Sequence, residues 1–299
     1  MRLVTLKLQA GEQAAIVTRT GYLPVADLAD SLHEAWPVNM LDIITSGALE
    51  DIKRWYAAGG KNAIQDLRAK EIPATLATFG PPFRHPPKIW GIGLNYADHA
   101  GDLASTGRMP SGIPGSFMKA DTTIIGPGDA VMIPEQSQST TGEGELGIVI
   151  GKRCKDIGLD NWVEYVAGFT TIIDMTAEDI LKQNTRYLTV CKNFDTFFSF
   201  GPELVTPDEI PDVMHLHVAT VINGRVHAAN VISNMEFPLA FLVSFHSKVM
   251  TLLPGDIIST GTPRAVQIHD GDVIECRIDG FMPLKNPVLD LKRKRDELT

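Results

Sequence analysis

The chain has 299 residues, of which 44% are hydrophobic and 21% are charged, and its formal charge is -9. These values are typical of a globular protein with a sizeable core, and no apolar run is long enough to span a bilayer, so we expect no membrane partner. The net negative charge argues against a nucleic-acid-binding surface, and we expect no nucleic-acid partner.

The start of the chain and its cysteines indicate the compartment. The stretch "MRLVTLKLQAGEQAAIVTR" lacks the continuous apolar region of a secretory signal. Cys154, Cys191 and Cys276 are far apart and fit neither a zinc spacing nor a disulfide framework. We therefore expect a cytoplasmic protein in a reducing environment.

Residues 1–75 predict a small N-terminal α+β domain. Polar and apolar residues alternate in "MRLVTLKL" and "QAAIVTR" as they do in strands, and a helical stretch follows around "SGALEDIKRWYAAGGKNAIQDLRAK". The proline-rich segment "FGPPFRHPPK" then holds the chain extended. It marks the boundary with a second domain, over residues 76–299.

The second domain is predicted to consist mainly of strands. Asn223-Gly224 lies between two alternating runs, which is a strong hairpin signal. Two helices are predicted, one at "TAEDILKQ", where Thr176 and Asp179 have the spacing of a capping box, and one at "FPLAFLVSFHSKVMTL". The fold class is therefore α+β and predominantly β.

Three carboxylates form the first candidate site. Glu143 and Glu145 are two residues apart in an extended run, so both side chains point to one face. Asp174 ends an apolar strand about 30 residues later, just before the helix that Thr176 would cap. Three carboxylates suit Mg²⁺, Mn²⁺ or Ca²⁺, which prefer oxygen ligands.

A histidine and a carboxylate form the second candidate site. His99 and Asp102 are three residues apart in "GIGLNYADHAGDLA", and on a short helix Asp102 would orient His99 as a general base. Lys119 and Lys192 are each open to a simpler interpretation as snorkelling surface lysines. The small-residue loop "STGTPRAV" either approaches a ligand by its backbone or only turns the chain.

The motifs "KIWGIGLNYADHA", "FMKADTTIIGPGD", "GEGELGIVIGKRC", "AGFTTIIDMTAED", "KNFDTFFSFGP" and "SKVMTLLPGDIISTGTP", in this order, resemble the fumarylacetoacetate hydrolase family. The resemblance covers about residues 85–285. It implies a mixed β-roll with few helices behind a small N-terminal domain. It also implies a homodimer or higher homo-oligomer, because most members are oligomeric.

The resemblance assigns roles to the candidate residues. Glu143, Glu145 and Asp174 match the ligands of a catalytic Mg²⁺ or Mn²⁺, with Ca²⁺ also possible. His99 matches the base and Asp102 its acidic partner, while Lys192 matches a lysine that stabilises negative charge on oxygen. Substrate contacts are expected from Lys119, Glu178 and Thr262.

Three positions depart from the family pattern. Many members have arginine and glutamine where this chain has Glu178 and Leu181, and glycine where it has Ala265. An arginine would attract a substrate carboxylate through two charge-assisted hydrogen bonds, whereas an acid at the same position would repel it. Glu178 also has a structural explanation, because an acid in the first turn complements the helix dipole.

The reaction implied by the resemblance proceeds from a 2-oxo or β-diketo acid through an enolate held by the metal. We expect hydrolysis of a C–C bond in an acylpyruvate of the fumarylpyruvate or maleylpyruvate kind, because the His99–Asp102 pair is retained to activate water. The alternatives are a tautomerase, isomerase or decarboxylase of a 2-oxo acid resembling 2-hydroxyhepta-2,4-diene-1,7-dioate or oxaloacetate. A dehydratase of a 2-keto-3-deoxy sugar acid and a non-catalytic metal- or ligand-binding protein also stay open.

Overall fold

The computed structural model describes residues 1–96 and 112–296 of the chain. Within these residues, one sheet of thirteen strands and a second sheet of five strands carry the architecture. The strands of the first sheet are β1 (Arg2–Leu8), β2 (Gly11–Val17), β3 (Gly21–Pro24), β4 (Ile72–Pro73), β5 (Ile89–Gly93), β6 (Gly115–Lys119), β7 (Ile124–Ile125), β9 (Thr140–Ile150), β10 (Val166–Ala177), β11 (Phe198–Phe200), β12 (Glu203–Val205), β15 (Ile257–Ser259) and β16 (Val266–Gln267). Those of the second sheet are β8 (Val131–Ile133), β13 (His217–Ile222), β14 (Arg225–Val231), β17 (Val273–Ile278) and β18 (Leu284–Asp290).

Helices are short, and no α-helix of the described residues is longer than 11 residues. The α-helices are α1 (Val25–Leu32), α2 (Met40–Thr45), α3 (Ala48–Trp55), α4 (Lys61–Ala63), α5 (Glu178–Gln183), α6 (Leu188–Lys192), α7 (Leu239–Val249) and α8 (Leu291–Asp296). Among the described residues, no helix combines the length and the apolar character needed to cross a membrane. The α+β, predominantly β class expected from the sequence is confirmed.

The pairing of β9 with β10 forms the centre of the first sheet. Every residue of both strands is buried, including the threonines and the acids along them. The two strands run antiparallel, with Glu143 opposite Asp174 and Thr141 opposite Thr176. This register brings two acids from distant parts of the sequence to one place on one face.

The second sheet packs on the opposite face of β9. A Cβ atom on Gly144 would lie 3.0 Å from the main-chain oxygen of Ala219 in β13, and the amide of Gly144 donates to Oγ1 of Thr220 at 2.8 Å. A larger side chain at position 144 would separate the two sheets. The alternation in "GEGEL" thus places the glutamates on one face and a glycine at the sheet contact on the other.

The N-terminal segment joins the same sheet. Its two predicted strands are present as β1 and β2, and β1 pairs antiparallel with β12, which places Leu3 opposite Leu204. Arg2 adds an ion pair of 2.9 Å with the buried Glu203. The helical stretch predicted after these strands is also present, as α3 followed by shorter helical turns.

Other elements predicted within residues 76–299 are confirmed, with one correction. Asn223 and Gly224, with φ of 51° and 80°, form the turn between β13 and β14. The capping role of Thr176 is wrong, because β10 continues to Ala177 and α5 begins at Glu178 without a side-chain cap. The hydroxyl of Thr176 instead donates to Oε1 of Glu143 at 3.2 Å.

Gly144→Ala tests the packing of the two sheets. Because the added Cβ would press against the backbone of β13, we expect a loss of about 1–3 kcal/mol in the free energy of unfolding, measured by urea denaturation. Gly158→Ala is the control, since its Cβ would lie 3.6 Å from the nearest atom, Oδ1 of Asn161, in an exposed loop. Equal stabilities of the two variants would contradict the sheet contact at Gly144.

Candidate active site

Three carboxylates converge where β9 and β10 pair. Glu143 lies opposite Asp174, and Glu145 is two residues along β9 on the same face. One oxygen from each side chain lies within 4.8 Å of the others, and all three residues are buried. The trio expected from the sequence is therefore brought together by the fold.

Two buried lysines face these acids. Nζ of Lys192 lies 2.8 Å from Oε2 of Glu143 and 2.6 Å from Oδ2 of Asp174. Nζ of Lys119 lies 2.6 Å from Oδ1 of Asp174 and also donates to the main-chain oxygen of Lys192. The interpretation of either residue as a snorkelling surface lysine is wrong.

The surroundings shift the pKa values of the two lysines in opposite directions. Burial alone would lower the pKa of Lys192, but Asp174 and Glu143 raise it above its ordinary value. For Lys119, burial outweighs the effect of Asp174 and lowers the pKa. Lys192 is thus the ammonium held most firmly in its charged form.

The loop after β15 holds the third acid. Oε2 of Glu145 accepts hydrogen bonds from the hydroxyl of Ser259 and from the amide of Gly261, the latter at 2.8 Å. Gly261 has a φ of 97°, and a Cβ atom there would lie 2.8 Å from Cβ of Asn95. Only glycine fits this backbone and this close approach, so the small residues of the loop serve to reach a buried carboxylate.

The protonation of Glu145 reflects its crowded surroundings. Burial, followed by the charges of Asp174 and Glu143, raises the pKa of Glu145 to about 8. At neutral pH Glu145 is therefore largely protonated. Binding of a cation requires this proton to be released, as is usual at metal sites with acidic ligands.

The donor set fits a hard divalent cation. Its three side chains offer only oxygen atoms, which Mg²⁺, Mn²⁺ and Ca²⁺ prefer. Oε1 of Glu145 accepts no hydrogen bond from the described residues and is free to act as a ligand. Glu143, Glu145 and Asp174 would therefore hold the ion.

A cavity of about 230 Å³ opens beside these acids. Glu143, Glu145, Lys192 and Thr262 contribute polar groups to its wall. Its apolar lining includes Ile92, Leu94, Phe117, Leu181 and Leu188. The cavity thus combines a charged end with an apolar wall, as small-molecule sites commonly do.

The structure brings together some of the residues expected to contact substrate. Thr262 and Glu178 line the cavity. Lys119 is fully buried and is held by Asp174 and the Lys192 carbonyl, so a direct substrate contact by Lys119 stays a prediction. His99 and Asp102 lie outside the described residues, and their roles also stay predictions.

Sequence reasoning missed two residues that support the acids. Ser259 bonds Glu145, and Thr176 bonds Glu143. Ser259 is the first residue of the small-residue stretch "STGTPRAV", so the sequence did indicate that this stretch could approach a ligand. Thr176 had an equally good local explanation as a helix cap, and only the register of β10 with β9 reveals its partner.

Comparison with known proteins identifies the family. Residues 88–289 match the model for the C-terminal domain of fumarylacetoacetate hydrolase. This stretch contains the three acids, both buried lysines and the loop that holds Glu145. The chain belongs to the fumarylacetoacetate hydrolase family, as its motifs indicated.

Relatives of the chain carry out several reactions. The mitochondrial oxaloacetate tautomerase Fahd2a of Rattus norvegicus is 35% identical over 275 residues, which cover 89% of this chain and 84% of that protein. The structure of 5-carboxymethyl-2-hydroxymuconate delta-isomerase from Mycobacterium smegmatis matches with a TM-score of 0.74 and 27% identity, over 97% of this chain and 99% of that one. Maleylpyruvate hydrolase from Sphingobium sp. SYK-6, in complex with manganese(II) and pyruvate, matches with a TM-score of 0.78 and 26% identity over the same shares.

Glu145→Gln tests the cation site. Because the amide removes one anionic ligand, we expect Mn²⁺ to stabilise the wild type but not the variant against heat. An ion present at 100 times its Kd stabilises a protein by about 2.7 kcal/mol, so the difference is measurable by calorimetry. Glu164→Gln, at an exposed position, is the control and should respond as the wild type does. Unchanged Mn²⁺ stabilisation of Glu145→Gln would remove Glu145 from the ligand set.

Proposed function

We propose that the chain is a divalent-cation-dependent enzyme that converts a 2-oxo acid through an enolate. The observation that carries this proposal is the convergence of Glu143, Glu145 and Asp174, with Lys192 among them, at the charged end of a cavity. A 2-oxo acid presents adjacent carboxylate and keto oxygens, which suit a hard cation. Membership in the family supports this class of substrate.

The residues of the site would have different roles in this reaction. Glu143, Glu145 and Asp174 would hold a cation that acts as a Lewis acid toward the oxygens of the substrate. Lys192 keeps a charged ammonium at the same end of the cavity, where it would stabilise negative charge that develops on the C2 oxygen. The apolar residues of the wall would lower the effective dielectric constant around these charges and so strengthen their interactions.

The reaction best supported is keto–enol tautomerisation of an oxaloacetate-like 2-oxo acid. It moves one proton between C3 and the oxygen on C2 and breaks no bond between heavy atoms. Its support is the tautomerase of Rattus norvegicus, which is 35% identical over 89% of this chain. Tautomerisation also requires only enolate stabilisation and a proton carrier, and no activated water.

Tautomerisation is tested with metal-stripped protein and freshly dissolved oxaloacetate. We expect Mg²⁺ or Mn²⁺ to restore a rapid loss of enol absorbance, with no release of CO₂ above the metal-only background. Glu145→Gln with the same ion is the control, because free divalent ions alone also act on oxaloacetate. Enzyme-dependent release of CO₂ would assign a decarboxylase, and equal rates with the variant would reject the proposal.

Hydrolysis of an acylpyruvate is the second candidate. Its support is the His99–Asp102 pair in the sequence, together with the likeness to maleylpyruvate hydrolase. In this reaction His99 would take a proton from water, the resulting hydroxide would attack the distal carbonyl, and C–C cleavage would leave the pyruvate enolate and a carboxylic acid. Release of pyruvate with the matching acid from acetylpyruvate, fumarylpyruvate or maleylpyruvate would establish this activity.

His99→Ala tests the role of the histidine in hydrolysis. General base catalysis contributes about 10²–10⁴-fold, so we expect pyruvate release to fall by that factor. Thermal stabilisation by Mn²⁺ should stay unchanged, since His99 is not an expected ligand. His85→Ala is the control, because His85 is exposed and pairs with Asp121. Loss of Mn²⁺ stabilisation in His99→Ala would instead place the histidine in the cation site.

We also propose that the enzyme works in the cytoplasm as a homodimer or higher homo-oligomer. Support for a reducing compartment comes from Cys154, Cys191 and Cys276, all of which are free and buried. The oligomer is proposed from the behaviour of the family. Sedimentation of the purified chain measures the oligomeric state directly.

A further inference from the structure

Helix α5 contributes a charged pair to the wall of the cavity. Glu178 and Lys182 both line it, one turn apart on the helix. Nζ of Lys182 lies 3.6 Å from Oε1 of Glu178. The side chain of Glu178 is 14% exposed and that of Lys182 is 64% exposed, so the acid lies deeper than the cation.

Lys182 differs from the other cation that lines the cavity in the described structure. The ammonium of Lys192 donates hydrogen bonds to Glu143 and Asp174. The ammonium of Lys182 makes no hydrogen bond to the described residues, and its separation from Glu178 exceeds hydrogen-bond length. It therefore has donors available for a ligand.

Resting on the proposed function, we propose that Lys182 determines specificity by binding a second carboxylate of the substrate, so that the enzyme prefers dicarboxylic 2-oxo acids. The first carboxylate and the keto oxygen belong at the acidic end of the cavity. A second carboxylate farther along the substrate needs a cation. Among the described residues that line the cavity, Lys182 is the cation that does not pair with the three acids.

Glu178 explains why this cation is placed on the helix wall. Spaced four residues apart, the two side chains lie on one face of α5, and the acid attracts the lysine toward the cavity. Without Lys182, Glu178 would repel any dianionic substrate. A positive charge that many members carry at position 178 is thus supplied here by position 182.

The proposal is tested with two substrates that differ only in the second carboxylate. Oxaloacetate carries a carboxylate at C4, where 2-oxobutanoate carries a methyl group. Exchange of the C3 hydrogens for deuterium, followed by NMR in the presence of Mn²⁺-loaded enzyme, reports enolate formation from either substrate. We expect Lys182→Gln to raise KM for oxaloacetate about tenfold, which corresponds to one charge-assisted contact. We expect kcat, and both constants for 2-oxobutanoate, to stay near wild-type values.

Two further variants separate recognition from stability. Lys182→Arg keeps the charge and should keep the preference for oxaloacetate. Lys155→Gln removes an exposed lysine that does not line the cavity. It should leave KM and kcat unchanged for both substrates. Equal changes of KM for both substrates in Lys182→Gln, or an unchanged preference, would overturn the role of Lys182.

A second measurement keeps this inference distinct from the proposed function. Calorimetric titration with 2-oxoglutarate and 2-oxopentanoate, another pair that differs only in the distal carboxylate, reports binding without turnover. If no exchange occurs with either substrate, the proposed tautomerisation fails, and the titration decides the role of Lys182 alone. Tighter binding of 2-oxoglutarate that Lys182→Gln abolishes supports the role, and equal binding of the two acids overturns it.

Discussion

The antiparallel register of β9 with β10 is the constraint on which the site depends. It sets Glu143 opposite Asp174, carries Glu145 to the same face and brings Thr176 within reach of Glu143. A shift by one residue would turn the acids toward the second sheet, where the close contact at Gly144 leaves no room for them. The pairing of β9 with β10 therefore determines both the packing of the two sheets and the positions of the three acids.

The acids were predictable because the spacing of Glu143 and Glu145 has a direct meaning in an extended chain. Asp174 was predictable from its position on an apolar strand. The order of the family motifs then indicated that the three acids form one site. The hairpin at Asn223-Gly224 and the class of fold were also predictable, since local turn chemistry and alternation determine them. For the glutamate pair and the hairpin, the relevant information lies within a few neighbouring residues.

The remaining features depend on contacts that sequence spacing does not encode. From spacing alone, Lys119 and Lys192 were open to interpretation as surface lysines, because their acidic partners come from other parts of the chain. Thr176 fitted a capping box locally, but the continuation of β10 placed it inside the sheet. Pairing of β1 with β12 likewise links residues about 200 positions apart. Such assignments require the register and packing of whole strands.

The balance of charge around Asp174 has a consequence for how the protein would acquire its cation. Nζ of Lys192 contacts both Glu143 and Asp174, and Nζ of Lys119 contacts Asp174, so these two acids have hydrogen-bond partners without any ion. Loading of a cation would then not have to accompany folding, and it would depend on which divalent ions the host cell supplies. The ion found in a purified sample would consequently report the expression host and its growth medium as well as the preference of the site.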